Sequence, residues 1–171
     1  MGPKEIAKNL EKGGIFIYPG NEGYEIACNM LCKDSVEEML DLKIEGSFSI
    51  IAPSRVWIYK NLMANKHYVD RLPGQFTFIF KVKSNARLPK YAMQGNKSAV
   101  RMANNDLCNI ASKNNMVLFT YILKKEGKLI IKPDAISRNI KNTADFMMDA
   151  GTLDVKSHVV IDLTGKVARI V

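Results

Sequence analysis

With 171 residues, 47% of them apolar, the chain can bury one substantial core and falls in the usual size range of one domain, so residues 1–171 are expected to fold as a single unit. No stretch approaches the roughly 18 apolar residues of a membrane span, and MGPKEIAKNLEKG lacks the apolar core of a secretory signal; a soluble, cytoplasmic protein with no membrane partner is expected. The formal net charge of +8 is uneven, with net −4 over residues 1–50, +8 over 51–100 and +4 over 101–171, which concentrates a basic face in the middle third.

In chain order, IAKNLEKGG reads as a short amphipathic helix stopped by Gly13 and Gly14, and IFIY as a buried strand ended by Pro19. YEIAC follows as a second strand. Asp34 or Ser35 is expected to cap a helix through Leu42, because Val36, Met39, Leu40 and Lys43 recur at helical spacing and acids crowd its first turns. SFSIIA is the next strand, Ser54 caps a helix expected to reach about Asn65, and Pro73 with Gly74 turns the chain into FTFIFKV. Ser84 to Lys97 reads as loop, Ala99 to Met102 as strand, Asn105 to Lys113 as helix and MVLFTYIL as buried strand, with a turn near Gly127. PDAISRNI can open a helix on its proline, and ADFMMDAG, SHVVIDL and KVARIV close the chain as strands, the last two joined at Thr164 and Gly165. This order predicts an α+β fold, an α/β sandwich with a twisted, mixed, largely antiparallel sheet flanked by helices.

Cys28, Cys32 and Cys108 are an odd three among apolar neighbours, which suits reduced core thiols better than a disulfide framework. No second pair of ligands follows Cys28 and Cys32, and His67 and His158 are far apart, so no protein-bound metal is expected. Lys81, Lys83, Arg87, Lys90 and Lys97 fall around a strand and a polar loop, the footprint of a surface for RNA or a triphosphate. A solvated, solubilising surface is the alternative. Arg101 stands on an apolar strand, where a partly buried guanidinium needs an anion or several acceptors.

The stretch Ile15 to Cys28, read with Leu40 to Lys43, Leu72 to Phe80 and Ala99 to Arg101, resembles the YrdC family of threonylcarbamoyl-adenylate synthases. Tyr18, Pro19, Tyr24 and Cys28 stand in register with a Y-P-T-[DE]-T-x-Y-G-[LV]-x-C signature. Leu42 and Lys43 match the start of L-K-x-R, Leu72 to Thr77 match W-P-G-P-[LV]-T, and Val100 and Arg101 match a V-R strand. Asp149 to Gly151, Ser157 to Asp162 and Arg169 follow the closing D-x-G, S-T-[VI]-[VI]-D and R-x-G pieces.

The resemblance implies ATP with Mg²⁺, L-threonine and bicarbonate as substrates, tRNA or another structured RNA and a tRNA-modification complex as partners, and catalysis by positioning and charge neutralisation. It assigns Lys43 and Arg101 as catalytic, and Tyr24, Lys43, Thr120, Ser157 and Arg169 as substrate and nucleotide contacts. Departures fall in the same places. The signature's first Thr is Gly20 and its Gly is Glu25, Glu45 replaces the Arg of K-x-R, the following basic loop is cut to Gly46 and Ser47, and His158 replaces the Thr of S-T-V. The T-S-A-N segment reads Thr120, Tyr121, Ile122, Leu123. An Arg to Glu exchange near bound anions reverses an interaction of about 4 kcal/mol at an effective dielectric near 20, so impaired synthesis is expected. The rival expectation is a non-catalytic paralogue that binds double-stranded RNA, tRNA or a partner protein through its basic face. A family domain that makes carbamoyl-adenylates in hydrogenase maturation leaves a different acyl substrate open, as is a pocket turned to a less anionic ligand.

Overall fold

The apolar runs of the sequence become the middle of one nine-stranded sheet in the computed structural model, which describes Met1–Val171. Its strands are β1 (Phe16–Pro19), β2 (Tyr24–Asn29), β3 (Ser49–Ile51), β4 (Phe76–Lys81), β5 (Lys97–Arg101) and β6 (Leu118–Ile122), while β7 (Lys124–Lys125) and β8 (Lys128–Leu129) form a separate hairpin. Strands β9 (Phe146–Met147), β10 (Val159–Asp162) and β11 (Arg169–Ile170) complete it in the order β11-β10-β4-β5-β3-β6-β2-β1-β9. Neighbours run antiparallel at β1–β2, β2–β6, β3–β6, β4–β5 and β10–β11, and parallel at β1–β9, β3–β5 and β4–β10. The fold is the mixed, largely antiparallel α/β sandwich that the sequence predicts.

Helices α1 (Pro3–Glu11), α2 (Lys33–Asp41), α3 (Arg55–Asn61), α4 (Lys66–Val69), α5 (Asp106–Lys113) and α6 (Arg138–Thr143) flank the sheet. Side chains alternate between sheet faces, so each strand feeds two cores. On one face Phe16, Tyr18, Ala27, Ile51 and Leu118 meet Ile6 and Leu10 of α1 and Leu107 and Cys108 of α5. On the other, Ile15, Ile17, Ile26, Phe119 and Tyr121 meet Val36 and Met39 of α2, and Phe78, Phe80 and Val100 meet Ile58 and Val69 of α3 and α4. Each large side chain so buried contributes about 1.5–3 kcal/mol. The core under α1 and α5 draws on β1, β2, β3 and β6 but not on β4, β5 or β10. No helix is long and apolar enough to cross a membrane.

Local chemistry moves several predicted boundaries. The helix capped by Ser54, whose Oγ accepts the Trp57 N–H at 3.1 Å, ends at Asn61 rather than Asn65, because the Asn61 amide turns back to the Trp57 carbonyl at 2.9 Å. Asn65 starts the separate turn α4. Neither Asp34 nor Ser35 caps α2, which begins at Lys33; Ser35 instead donates to the Gly13 carbonyl at 2.6 Å. PDAISRNI divides into a 3₁₀ turn, Pro133–Ala135, and α6, which Ser137 caps.

Candidate functional site

The register brings five polar side chains from five strands to one face of the sheet. Tyr18 stands opposite Glu25, Thr120 opposite both Ala27 and Ser49, and Ile51 beside Arg101. Period-2 alternation then aligns Tyr18, Glu25, Thr120, Ser49 and Arg101. Glu25 is 0% exposed and Arg101 3%. The guanidinium forks onto the carboxylate, with Nη1 donating to Oε1 at 3.0 Å and Nη2 to Oε2, while Nε donates to Ser49 Oγ at 3.2 Å. Tyr18 OH donates to Glu25 Oε2 at 2.5 Å, and Thr120 Oγ1 lies 3.4 Å from the same oxygen.

A buried ion pair persists only when its polar atoms find further partners, and here every nitrogen of Arg101 and both oxygens of Glu25 have at least one. Burial alone would depress the Arg101 guanidinium, but the Glu25 carboxylate reverses this and holds it above the ordinary arginine value. Burial, then the Glu25 charge, pushes the Tyr18 phenol well up, and the same two causes push the Cys108 thiol up to about 12. Gly20 makes the arrangement possible, since a Cβ there would overlap the Glu25 carboxylate.

A second polar chain lies along the same face. Thr77 Oγ1 on β4 is 2.7 Å from His158 Nε2, and His158 Nδ1 is 2.5 Å from Glu22 Oε1 in the β1–β2 loop, with both ionisable side chains 9% exposed. Glu22 Oε1 lies off the hydrogen-bonding direction, so this contact is an ion pair when His158 is protonated rather than an aligned hydrogen bond. The Lys156 N–H donates to the Asn21 carbonyl at 3.0 Å and fastens the two loops together.

Of the residues assigned to substrate, Arg101 and Thr120 are brought together, around Glu25. Tyr24 points to the opposite face, where its OH donates to the Gly151 carbonyl at 2.8 Å and accepts from the Ala150 N–H at 3.0 Å. Lys43 is exposed beyond the end of α2 at φ 49°, with no side-chain partner. Ser157 is exposed, and Arg169 is exposed on the edge strand opposite Asp162. The expected conflict at Glu45 does not arise, because its carboxylate accepts the Gly127 N–H at 2.6 Å on the β7–β8 turn. The acid that meets the arginine is Glu25. Tyr121 and Leu123 pack into the core of the other face, so their bulk does not fill the site beside Thr120.

The basic residues do not form one patch. Lys81 and Lys97 face each other across β4 and β5 on the Arg101 side, with Lys97 3.9 Å from Asp162. Lys83 donates to the Tyr59 carbonyl at 2.5 Å, while Arg87 and Lys90 lie in the loop whose Leu88 and Tyr91 pack on the other face.

The sequence profile named for Sua5, YciO and YrdC, and described as telomere recombination, matches residues 8–171. The chain belongs to the Sua5/YciO/YrdC family. Within it, the chain is 24% identical over 168 residues to an uncharacterized protein of Haemophilus influenzae, covering 91% of this chain and 80% of that one. It is 22% identical over 167 residues to YciO of Escherichia coli K12, with the same coverage of 91% and 80%. It is also 26% identical over 125 residues to the threonylcarbamoyl-AMP synthase of Actinobacillus succinogenes, across 64% of this chain and 67% of the synthase. The crystal structure of E. coli YciO superposes with a TM-score of 0.81 at 20% identity, over 99% of this chain and 89% of that one. P. abyssi Sua5 in complex with L-threonine superposes with a TM-score of 0.81 at 16% identity, over 99% of this chain but 54% of Sua5. These superpositions fix the fold. Against the family signature, Gly20 and Glu25 are one coupled exchange: the first removes the side chain that would collide with the carboxylate supplied by the second. The two departures were visible in the sequence; that they compensate each other was not.

Proposed function

We propose that this chain has withdrawn its family pocket from threonylcarbamoyl-adenylate synthesis and acts as a non-catalytic binder of structured RNA such as tRNA. The observation that carries the reading is the Glu25 carboxylate forked onto Arg101 and bonded by Tyr18. Arg101 is the cation that the family resemblance assigns to the substrate's anionic groups, and here its charge is already matched. A phosphate, bicarbonate or carboxylate taking its place must leave Glu25 buried without a cation, a cost of about 3–5 kcal/mol, or roughly 10²- to 10³-fold or more in affinity. Lys43 stands apart and does not make up the loss, so these residues do not fit ATP with Mg²⁺ as a substrate. The net charge of +8, carried by surface lysines and arginines, supports a polyanionic partner.

A second reading, synthesis of threonylcarbamoyl-AMP from ATP, L-threonine and bicarbonate, is favoured by the 26% identity to the A. succinogenes synthase. The two separate in one pair of assays. Purified protein with ATP, Mg²⁺, L-threonine and bicarbonate is expected to give no threonylcarbamoyl-AMP by mass spectrometry beside an active family enzyme, and to bind tRNA with an affinity that falls steeply with salt. Product that depends on both threonine and bicarbonate overturns the proposal.

A further inference from the structure

A cavity of about 720 Å³ opens between α3, the β4–β5 loop, the end of β2 and the segment that leads into β6. Asn29 closes β2 four residues beyond Glu25, and Asn115 precedes β6 five residues before Thr120, so these lining residues stand about 13–16 Å along the chain from Glu25 and Thr120. Trp57 and Lys60 of α3, Arg87 of the β4–β5 loop, and Asn29, Asn85 and Asn115 give it its chemistry; no Asp or Glu lines it. Neither Lys60 nor Arg87 has a carboxylate within ion-pair distance, in a chain with 17 acids available. Asn29 uses its carbonyl oxygen on the Leu31 N–H at 3.0 Å and keeps its NH₂ free, and the Asn85 and Asn115 amides make no internal hydrogen bond. Asn115 is held at φ 53°, in the left-handed region.

We infer that this cavity is a binding site for a nucleotide unit of single-stranded RNA, with Trp57 as the stacking surface, the free asparagine amides as readers of base edges, and Lys60 and Arg87 as phosphate contacts. An aromatic ring worth one base of stacking, amides that both donate and accept, and uncompensated cations are the three components by which proteins hold unpaired nucleotides. The absence of acids suits a phosphodiester and disfavours a cationic ligand. A paired helix hides the base faces and edges that the amides and indole would read, so an unpaired loop or strand is the form that fits. The inference rests on the RNA-binding reading above and names the part of the RNA and the place on the protein.

Trp57 is the chain's one tryptophan, so its fluorescence reports this cavity alone. Titrating the protein with a mixed-sequence ten-nucleotide RNA strand is expected to quench it saturably, with an affinity that falls with salt at a slope of about −1.4 from two phosphate contacts. Trp57→Ala is expected to weaken binding about 5- to 100-fold by fluorescence anisotropy of a labelled strand. Trp57 also packs on two cores, so the exposed charge reversal Lys60→Glu with Arg87→Glu, checked for an unchanged melting curve, provides an independent arm and is expected to weaken binding at least tenfold. Adenosine and uridine monophosphates should bind at least tenfold more weakly than the strand; tighter binding by either would assign the site to a free nucleotide and overturn the RNA assignment. An unquenched Trp57, or strand binding unaffected by the charge reversal, also overturns it. If tRNA is still held in a salt-dependent manner in that case, the RNA-binding reading stands with another surface; if it is not, both fail.

Discussion

Replacing Glu25 with alanine tests the central interaction of the site. The substitution removes the acceptors of two Arg101 donors and of the Tyr18 hydroxyl, and leaves a guanidinium that is 3% exposed with Ser49 as its remaining partner. Removing one member of a buried, hydrogen-bonded pair costs about 3–5 kcal/mol. For a chain of this size each kcal/mol lowers the melting temperature by roughly 2–4 °C, so a fall on the order of 10 °C is expected in a thermal scan. With no side chain at Gly20, the space vacated matches a small carboxylate. Formate or acetate is therefore expected to restore several degrees to Glu25→Ala, with chloride at equal ionic strength as the control and the unsubstituted protein indifferent to the exchange. Arg101→Met alone should cost a similar amount, and the double variant clearly less than the sum of the two. A loss below about 1 kcal/mol for Glu25→Ala, or additive single costs, would refute the pairing and with it the argument that the pocket is filled from within.

Gly20→Thr, which restores the signature residue, is expected to destabilise the protein by about 1–3 kcal/mol through overlap with the Glu25 carboxylate, and to add nothing to the cost of Glu25→Gly when the two are combined; urea midpoints decide it. His158→Ala leaves the buried Glu22 carboxylate without its partner and should cost about 1–3 kcal/mol, while Ser157→Ala next to it, at an exposed position, should be silent. The thiols predict a pH response. A thiol reacts as thiolate, and with Cys108 pushed up to about 12 by burial the thiolate at pH 8 is on the order of 10⁻⁴ of the total. Burial raises Cys28 and Cys32 as well, but of the three only Cys32 is part-exposed, so Ellman's reagent at pH 8 should find Cys32 and reach the other two only on unfolding; rapid reaction of three thiols in the native state would contradict the packing.

Elements governed by a few neighbouring residues were legible in the chain. Ser54 caps the helix that follows it, the helix expected from about Asn105 to Lys113 forms as α5, the apolar runs at Phe16 and Leu118 are central strands, and the ordered motifs identified the family. Caps, periodicity and turn chemistry act within one or two turns, so a local window contains their causes. The site was partly legible: Arg101 stood out as a cation on an apolar strand, and Gly20 and Glu25 as departures. Only the assembled sheet decided what they do, because Glu25 reaches Arg101 across 76 residues of sequence with β6 and β3 lying between their strands. The same holds for Glu45, drawn to the Gly127 amide 82 residues away, and for the basic residues, which strand alternation and a folded-over loop divide between two faces. A charge is recognisable by residue type; its partner is set by strand order and register, which are properties of the whole fold.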